Sequence, residues 1–143
     1  MGLFDFAKNI GKKIFGSEDE ASEKLKEHIE EDNPGINNLE IDVQDGVATI
    51  KGDTDDPSAL EKVILMTGNA MGIEEVRADE VTSPVQTYEV QYYEIQKGDS
   101  LWKIAKEFYG NGNDYNKIFE ANKEVIKDPD LIFPGQKIRI PMD

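Results

Sequence analysis

The sequence predicts an α+β protein built from two small units in tandem, on three observations. Residues 39–51 hold two runs of polar/apolar alternation around Asp45-Gly46, the pattern of a β-hairpin. Helical segments with recognisable caps flank that hairpin on both sides. After Ser83-Pro84 the pattern changes to strand, two helices and strand, with a different charge balance. The expected plan is an N-terminal amphipathic helix over residues 1–15, then a helix–strand–strand–helix–strand sandwich over 16–82. A linker at 83–91 leads to a strand–helix–helix–strand unit at 92–143.

Each element has a local cause. Leu3, Phe4, Ala7, Ile10, Ile14 and Phe15 recur at helical spacing, and this weakly basic helix is expected to dock on its own domain rather than on a membrane. Gly16-Ser17 breaks it. Ser17 with Glu20 reads as a capping box for the next helix, where Ala21, Leu25, His28 and Ile29 share one face. His28 on that stripe reads as a core-edge residue rather than a ligand. Asn33-Pro34-Gly35 stops the helix. Leu39, Ile41 and Val43 alternate with charged and polar residues, and Val47–Lys51 returns after the turn. Asp56 caps a further helix with Pro57 in its first position. Its buried face is expected to hold Leu60, Val63, Ile64 and Thr67, and its end falls near Gly68–Gly72. Residues 73–81 read as a strand. In the second unit, Tyr92–Ile95 is a strand and Ser100 or Asp99 caps a helix carrying Leu101, Ile104, Ala105 and Phe108. Tyr115, Ile118, Phe119 and Asn122 mark another helix, and Lys137–Pro141 is the closing strand.

Composition removes several chemistries. The chain has 143 residues, no cysteine, a single histidine and a formal net charge of −14. Disulfides, thiolate metal sites and cysteine nucleophiles are therefore excluded. Residues 1–15 carry +2, residues 16–87 carry −14 and residues 88–143 carry −2. That acidic middle disfavours nucleic acid and anionic lipid. It serves either solubility or attraction of a cation. Charged residues interrupt the N-terminal apolar stretch, so no export signal is expected, and a cytoplasmic location and a monomer follow as expectations. No nucleophile–base arrangement stands out, so the chain is not expected to be an enzyme.

The stretches "YEIQKGDSLWKIAKEFYG", "IFEANK" and "DLIFPGQKIRIP" resemble the LysM domain across residues 92–141. The acidic stretch from Leu39 to Val81, with its hairpin, helix and Gly-Ile strand, resembles a BON domain. With "MGLFDFAKNIGKKIF" and "GNAMGI" included, the whole chain resembles the cytosolic potassium-binding BON–LysM proteins of bacteria.

That resemblance implies selective binding of K+ over sodium, with compaction on binding, in a sensor or buffer role. It also implies a site of main-chain carbonyls from the N-terminal helix and the loop after the second BON helix. On this sequence those are Ala7, Lys8, Ile10, Gly68, Ala70 and Ile73. Helix C-terminal ends leave carbonyls unpaired with partial negative charge. Rings of neutral carbonyls can replace the hydration shell of potassium, whereas calcium and magnesium sites usually recruit carboxylates. Read without the resemblance, Gly68–Gly72 is an ordinary helix end and turn. The LysM likeness implies an alternative ligand, peptidoglycan or another N-acetylglucosamine polymer, in a groove of Gly98, Asp99, Ser100, Leu101, Leu131, Ile132 and Phe133. A cytosolic setting disfavours it. A third alternative is an adaptor for other proteins.

Overall fold

The computed structural model describes residues 4–9 and 11–142. Its elements are α1 (Glu18–Glu30), β1 (Asn37–Gln44), β2 (Val47–Asp53), α2 (Pro57–Gly68), β3 (Glu75–Thr82) and β4 (Val90–Glu94). There follow α3 (Leu101–Tyr109), a 3-10 turn (Gly112–Asp114), α4 (Tyr115–Ala121) and β5 (Lys137–Pro141). The α+β class is as expected. Asp45 (φ 51°) and Gly46 (φ 79°) both take left-handed conformations, as a two-residue type I′ turn requires. Along β1 the side chains of Leu39, Ile41 and Val43 are buried while Glu40, Asp42 and Gln44 are exposed. Strand β2 pairs antiparallel with β1 and parallel with β3, and α2 supplies the crossover a parallel pair needs. Ala21, Leu25 and Ile29 of α1 join Val63 and Ile64 of α2 in one core with this sheet.

Two local expectations are corrected. No helix occurs among the described residues of 4–15; the segment runs through turns, extended backbone and isolated bridges, Asp5 to Glu75 and Lys12 to Ala70. Its backbone groups bond to residues 69–76 instead of to one another, and Gly11 sits at φ 146°, outside helical space. Leu3 and Ile10, two members of the expected stripe, lie outside the described residues. The capping box is also absent. Ser17 makes no side-chain cap bond, and Glu20 Oε1 accepts from the Gly16 N–H at 2.6 Å. Helix α2, by contrast, starts as its sequence implies, with Asp56 accepting from the Ser58 N–H at 2.9 Å.

The second unit pairs β4 antiparallel with β5. Ile138 and Ile140 of β5 meet Ile95, Leu101, Ile104 and Ile118 in a second core. The alternation Lys137-Ile138-Arg139-Ile140 suggests a strand with one wet face, yet every residue of β5 is buried. Its polar face lies on α2. Arg139 Nε donates to Glu61 Oε1 at 2.9 Å, and the same guanidinium reaches Ser58, Tyr88 and the Ala121 carbonyl. Consequently α2 is buried on both sides, from Ala59 and Glu61 through Val63–Gly68. Residue 86 ties the connecting segment to the same cluster, Gln86 Nε2 donating to Glu61 Oε2 at 2.8 Å.

Replacing Arg139 by Met strands the buried Glu61 carboxylate. The expected loss is about 3–5 kcal/mol of unfolding free energy, read from urea denaturation. A simultaneous Glu61→Met change is expected to recover part of it, because an apolar pair leaves no unpaired charge.

Candidate cation site

The N-terminal segment owes its place to hydrogen bonds with the loop after α2 and the start of β3. Val76 N–H donates to the Phe4 carbonyl and Phe6 N–H to that of Glu74, both at 2.9 Å. These two bonds add residues 4–6 to the edge of β3 as a short antiparallel strand. Further on, Lys12 N–H donates to the Asn69 carbonyl and Met71 N–H to the Lys12 carbonyl, again at 2.9 Å. Between these anchors the described residues Ala7, Lys8, Asn9 and Gly11 form an arch beside the loop that follows α2. Gly72 N–H donates to the Lys8 carbonyl at 2.7 Å and closes the arch onto the loop.

Gly11 makes this closure possible. A Cβ there would stand 2.3 Å from the Asn69 carbonyl oxygen, and its φ of 146° disfavours any side chain. Phe6 completes the packing below, its ring lying where a Cβ on Gly68 would come within 2.1 Å.

The arch and the loop hold the positions whose carbonyls the resemblance implies. Ala7 and Lys8 lie on the arch, while Gly68, Ala70 and Ile73 lie at the end of α2 and in its loop. Ile10 lies outside the described residues. The Lys8 carbonyl accepts from Gly72, and the Ala70 carbonyl accepts from Ile73 at 3.3 Å. Each carbonyl oxygen has two lone pairs, so an oxygen already accepting one hydrogen bond retains capacity for a cation. Among the described residues no three His, Cys, Asp or Glu side chains gather in a metal-ligating group. Ala70 and Ile73 are buried, whereas Ala7 is partly buried and Lys8 exposed.

Side chains missed by the sequence reading matter as much. The Asn69 amide pairs with the backbone of β5, donating from Nδ2 to the Lys137 carbonyl and accepting at Oδ1 from the Lys137 N–H, both at 2.8 Å. The Lys137 ammonium donates to the Asp5 carbonyl and stands 4.5 Å from the centroid of the Phe6 ring. The one available signal, Asn at a helix C-terminus, reads as a cap and nothing more. Beside Asn69 lies a cavity of about 30 Å³ bordered by Lys12, His28, Ala70, Phe133 and Gln136, where Gln136 Oε1 is buried without a hydrogen-bond partner among the described residues. His28 is half-buried at its edge, as the helical stripe implied. Burial first, then the charges of Lys12 and Lys127, hold its imidazole below the ordinary histidine range, against a smaller opposing effect of Glu31.

The alternative groove residues are largely engaged in folding. Leu101 is core, and Ser100 caps α3 by accepting from the Lys103 N–H at 3.1 Å. Asp99 accepts from the Tyr93 hydroxyl and the Gln96 N–H, and the Gly98 carbonyl accepts from Lys103 Nζ at 3.1 Å. Ile132 packs partly against the second core. Phe133 turns toward Gly11 and Lys12 across an open cavity of about 270 Å³, with Leu131 67% exposed at its mouth.

Comparison with known proteins places this geometry in context. The BON domain model matches residues 17–83 and the LysM domain model residues 93–141. The chain is 40% identical over 148 aligned positions to the Potassium binding protein Kbp of Escherichia coli O6:H1, covering 99% of each chain. The C-terminal third is also similar to SpoIVD-associated factor A of Bacillus subtilis, at 45% identity over 34% of this chain and 12% of that one. Resuscitation-promoting factor Rpf of Micrococcus luteus is 36% identical over 33% of this chain and 21% of its own.

Two measurements check the site's construction. Gly11→Ala is expected to lower unfolding free energy by about 1–3 kcal/mol, the range of forced backbone strain. It should also raise amide exchange at Lys12 and Met71. A depressed histidine pKa stabilises the fold above the unfolded value of 6.5, and that contribution fades as pH falls below it. As pH falls below 6.5, His28→Gln is expected to show a flatter decline of stability than the parent chain, read from urea denaturation at a series of pH values.

Proposed function

Because the chain belongs to the family of the potassium binding protein Kbp, a BON domain followed by a LysM domain, we propose that it binds potassium ions. The proposed ligands are the main-chain carbonyls of Ala7, Lys8 and Ile10 with those of Gly68, Ala70 and Ile73. The observation that carries this reading is the interlock of residues 4–12 with residues 69–76 through five backbone hydrogen bonds. It sets two runs of carbonyl-bearing backbone against each other at a helix C-terminal end, where the helix dipole is negative. Neutral oxygens match a weakly hydrated monovalent ion. The acidic residues act at longer range, raising the local cation concentration without coordinating it.

In this reading the chain is a monomeric cytoplasmic sensor or buffer with no catalytic role. The ion stabilises the arch, and an ordered arch favours the compact arrangement of BON and LysM. A ligand at 100 times its dissociation constant adds about 2.7 kcal/mol to the folded state, enough to shift a marginal closure. A second reading, glycan binding by LysM, draws on the exposed Leu131 at the mouth of the cavity before β5. Retention on peptidoglycan beyond that of an acidic control protein would favour it.

The test is titration with KCl and with NaCl at constant ionic strength, followed by calorimetry and amide NMR. KCl is expected to release binding heat, move resonances of residues 7–12 and 68–73 and raise the melting temperature, with NaCl producing little of this. Identical responses to the two salts would sink the potassium reading. Deleting residues 1–11 is expected to abolish potassium-dependent stabilisation.

A further inference from the structure

We propose that Lys137 and Asn69 form a two-point latch that makes occupancy of the site between arch and loop and docking of the LysM domain a single event. The latch rests on the potassium reading above. Asn69 belongs to three structures at once. Its N–H donates to the Leu65 carbonyl and ends α2, its carbonyl accepts from Lys12 of the N-terminal segment, and its amide holds both backbone groups of Lys137 in β5. A movement of the loop is therefore felt directly at the first residue of β5, through two hydrogen bonds. Hydrogen bonds weaken steeply with such misalignment.

Lys137 makes the second point. Its side chain is 1% exposed, so its ammonium depends on protein oxygens and on the ring beneath it. The Asp5 carbonyl and the Phe6 face, which it engages, both belong to the N-terminal segment. Burial holds its pKa below the ordinary lysine value, which fits an ammonium whose partners must stay in place. Loss of order at residues 5–6 would remove the Asp5 carbonyl and the Phe6 face from this buried ammonium, and undocking of β5 would take the ammonium away from that segment. The Arg139–Glu61 pair lacks this property, because Glu61 sits in the body of α2. Coupling of this kind is reciprocal. Whatever the ion adds to docking, docking adds to ion affinity.

The experiment uses the full chain and the variants Lys137→Met and Asn69→Ala. The first keeps the side-chain stem and the backbone bonds to Asn69, and the second keeps the ammonium. The chain has no cysteine, so Glu23→Cys and Asn116→Cys, both exposed, carry a dye pair that reads the BON–LysM distance. Potassium affinity is measured separately by calorimetry, and a cooperative melt in NaCl verifies folding. The substitutions remove different bonds, so a single folded variant decides. The expected result is potassium binding that persists about tenfold more weakly, within the usual range of coupling between sites, with most of the KCl-induced distance change lost. A role in packing alone would lower the melting point and leave that distance change intact, which would overturn the latch. A parent chain that responds alike to KCl and NaCl would instead overturn the potassium reading, and the latch with it.

Discussion

Two cations that cannot reach water govern this structure. Lys137 and Arg139 project from the same face of β5 and are 1% and 2% exposed. An unpaired charge in such a place is prohibitively costly, so each must be met by oxygen from elsewhere in the chain. Arg139 is met by Glu61, Ser58, Tyr88 and Ala121, and Lys137 by the Asp5 carbonyl and the Phe6 ring. These requirements press β5 of the LysM domain onto α2 of the BON domain. They explain why α2 is buried on both sides and why the connecting segment is pinned at Gln86. A pair of asparagines finishes the arrangement. Asn69 serves the backbone of Lys137, and Asn122 serves that of Arg139 with bonds of 2.8 and 2.9 Å.

The proposed ion site grows out of the same constraint. The residues that receive Lys137 are those that add a short strand to β3, and the backbone beyond them is the arch over the 69–74 loop. Main-chain oxygens are an economical ligand set for such a place, since they demand no particular side chain and carry no full charge. In the proposed reading the acidic surface of the BON domain acts as a field, and among the described residues no three carboxylates gather into a metal-holding group.

What could be read from sequence follows from where the determinants sit. The hairpin at Asp45-Gly46, the Asp56-Pro57 helix start and the Ser100 cap are decided within a few residues, and each stands where the pattern put it. The 4–15 segment was misread because its apolar spacing mimics a helix, while its hydrogen-bond donors and acceptors find partners some 60 positions away. Periodicity sees side chains and is blind to such partners. The closing strand at Lys137–Pro141 stands where the pattern put it, but its complete burial was not legible. Charged residues on alternate positions ordinarily mean solvent, and only the tertiary arrangement shows a second wall there. The candidate carbonyls were named by the resemblance alone: the hydrogen bond from Gly72 to the Lys8 carbonyl joins the two segments that carry them, and no residue type at those positions could have marked them.

The bond between the Lys137 ammonium and the Asp5 carbonyl joins residues 132 positions apart. Contacts of such sequence separation form late, because the loop they close is long. The described residues of 4–12 leave the synthetic machinery well before the residues 69–76 that hold them by five backbone bonds, and before Lys137. The segment that is made early therefore waits for partners that are made later, and the last of them to be synthesised is a strand of the other domain.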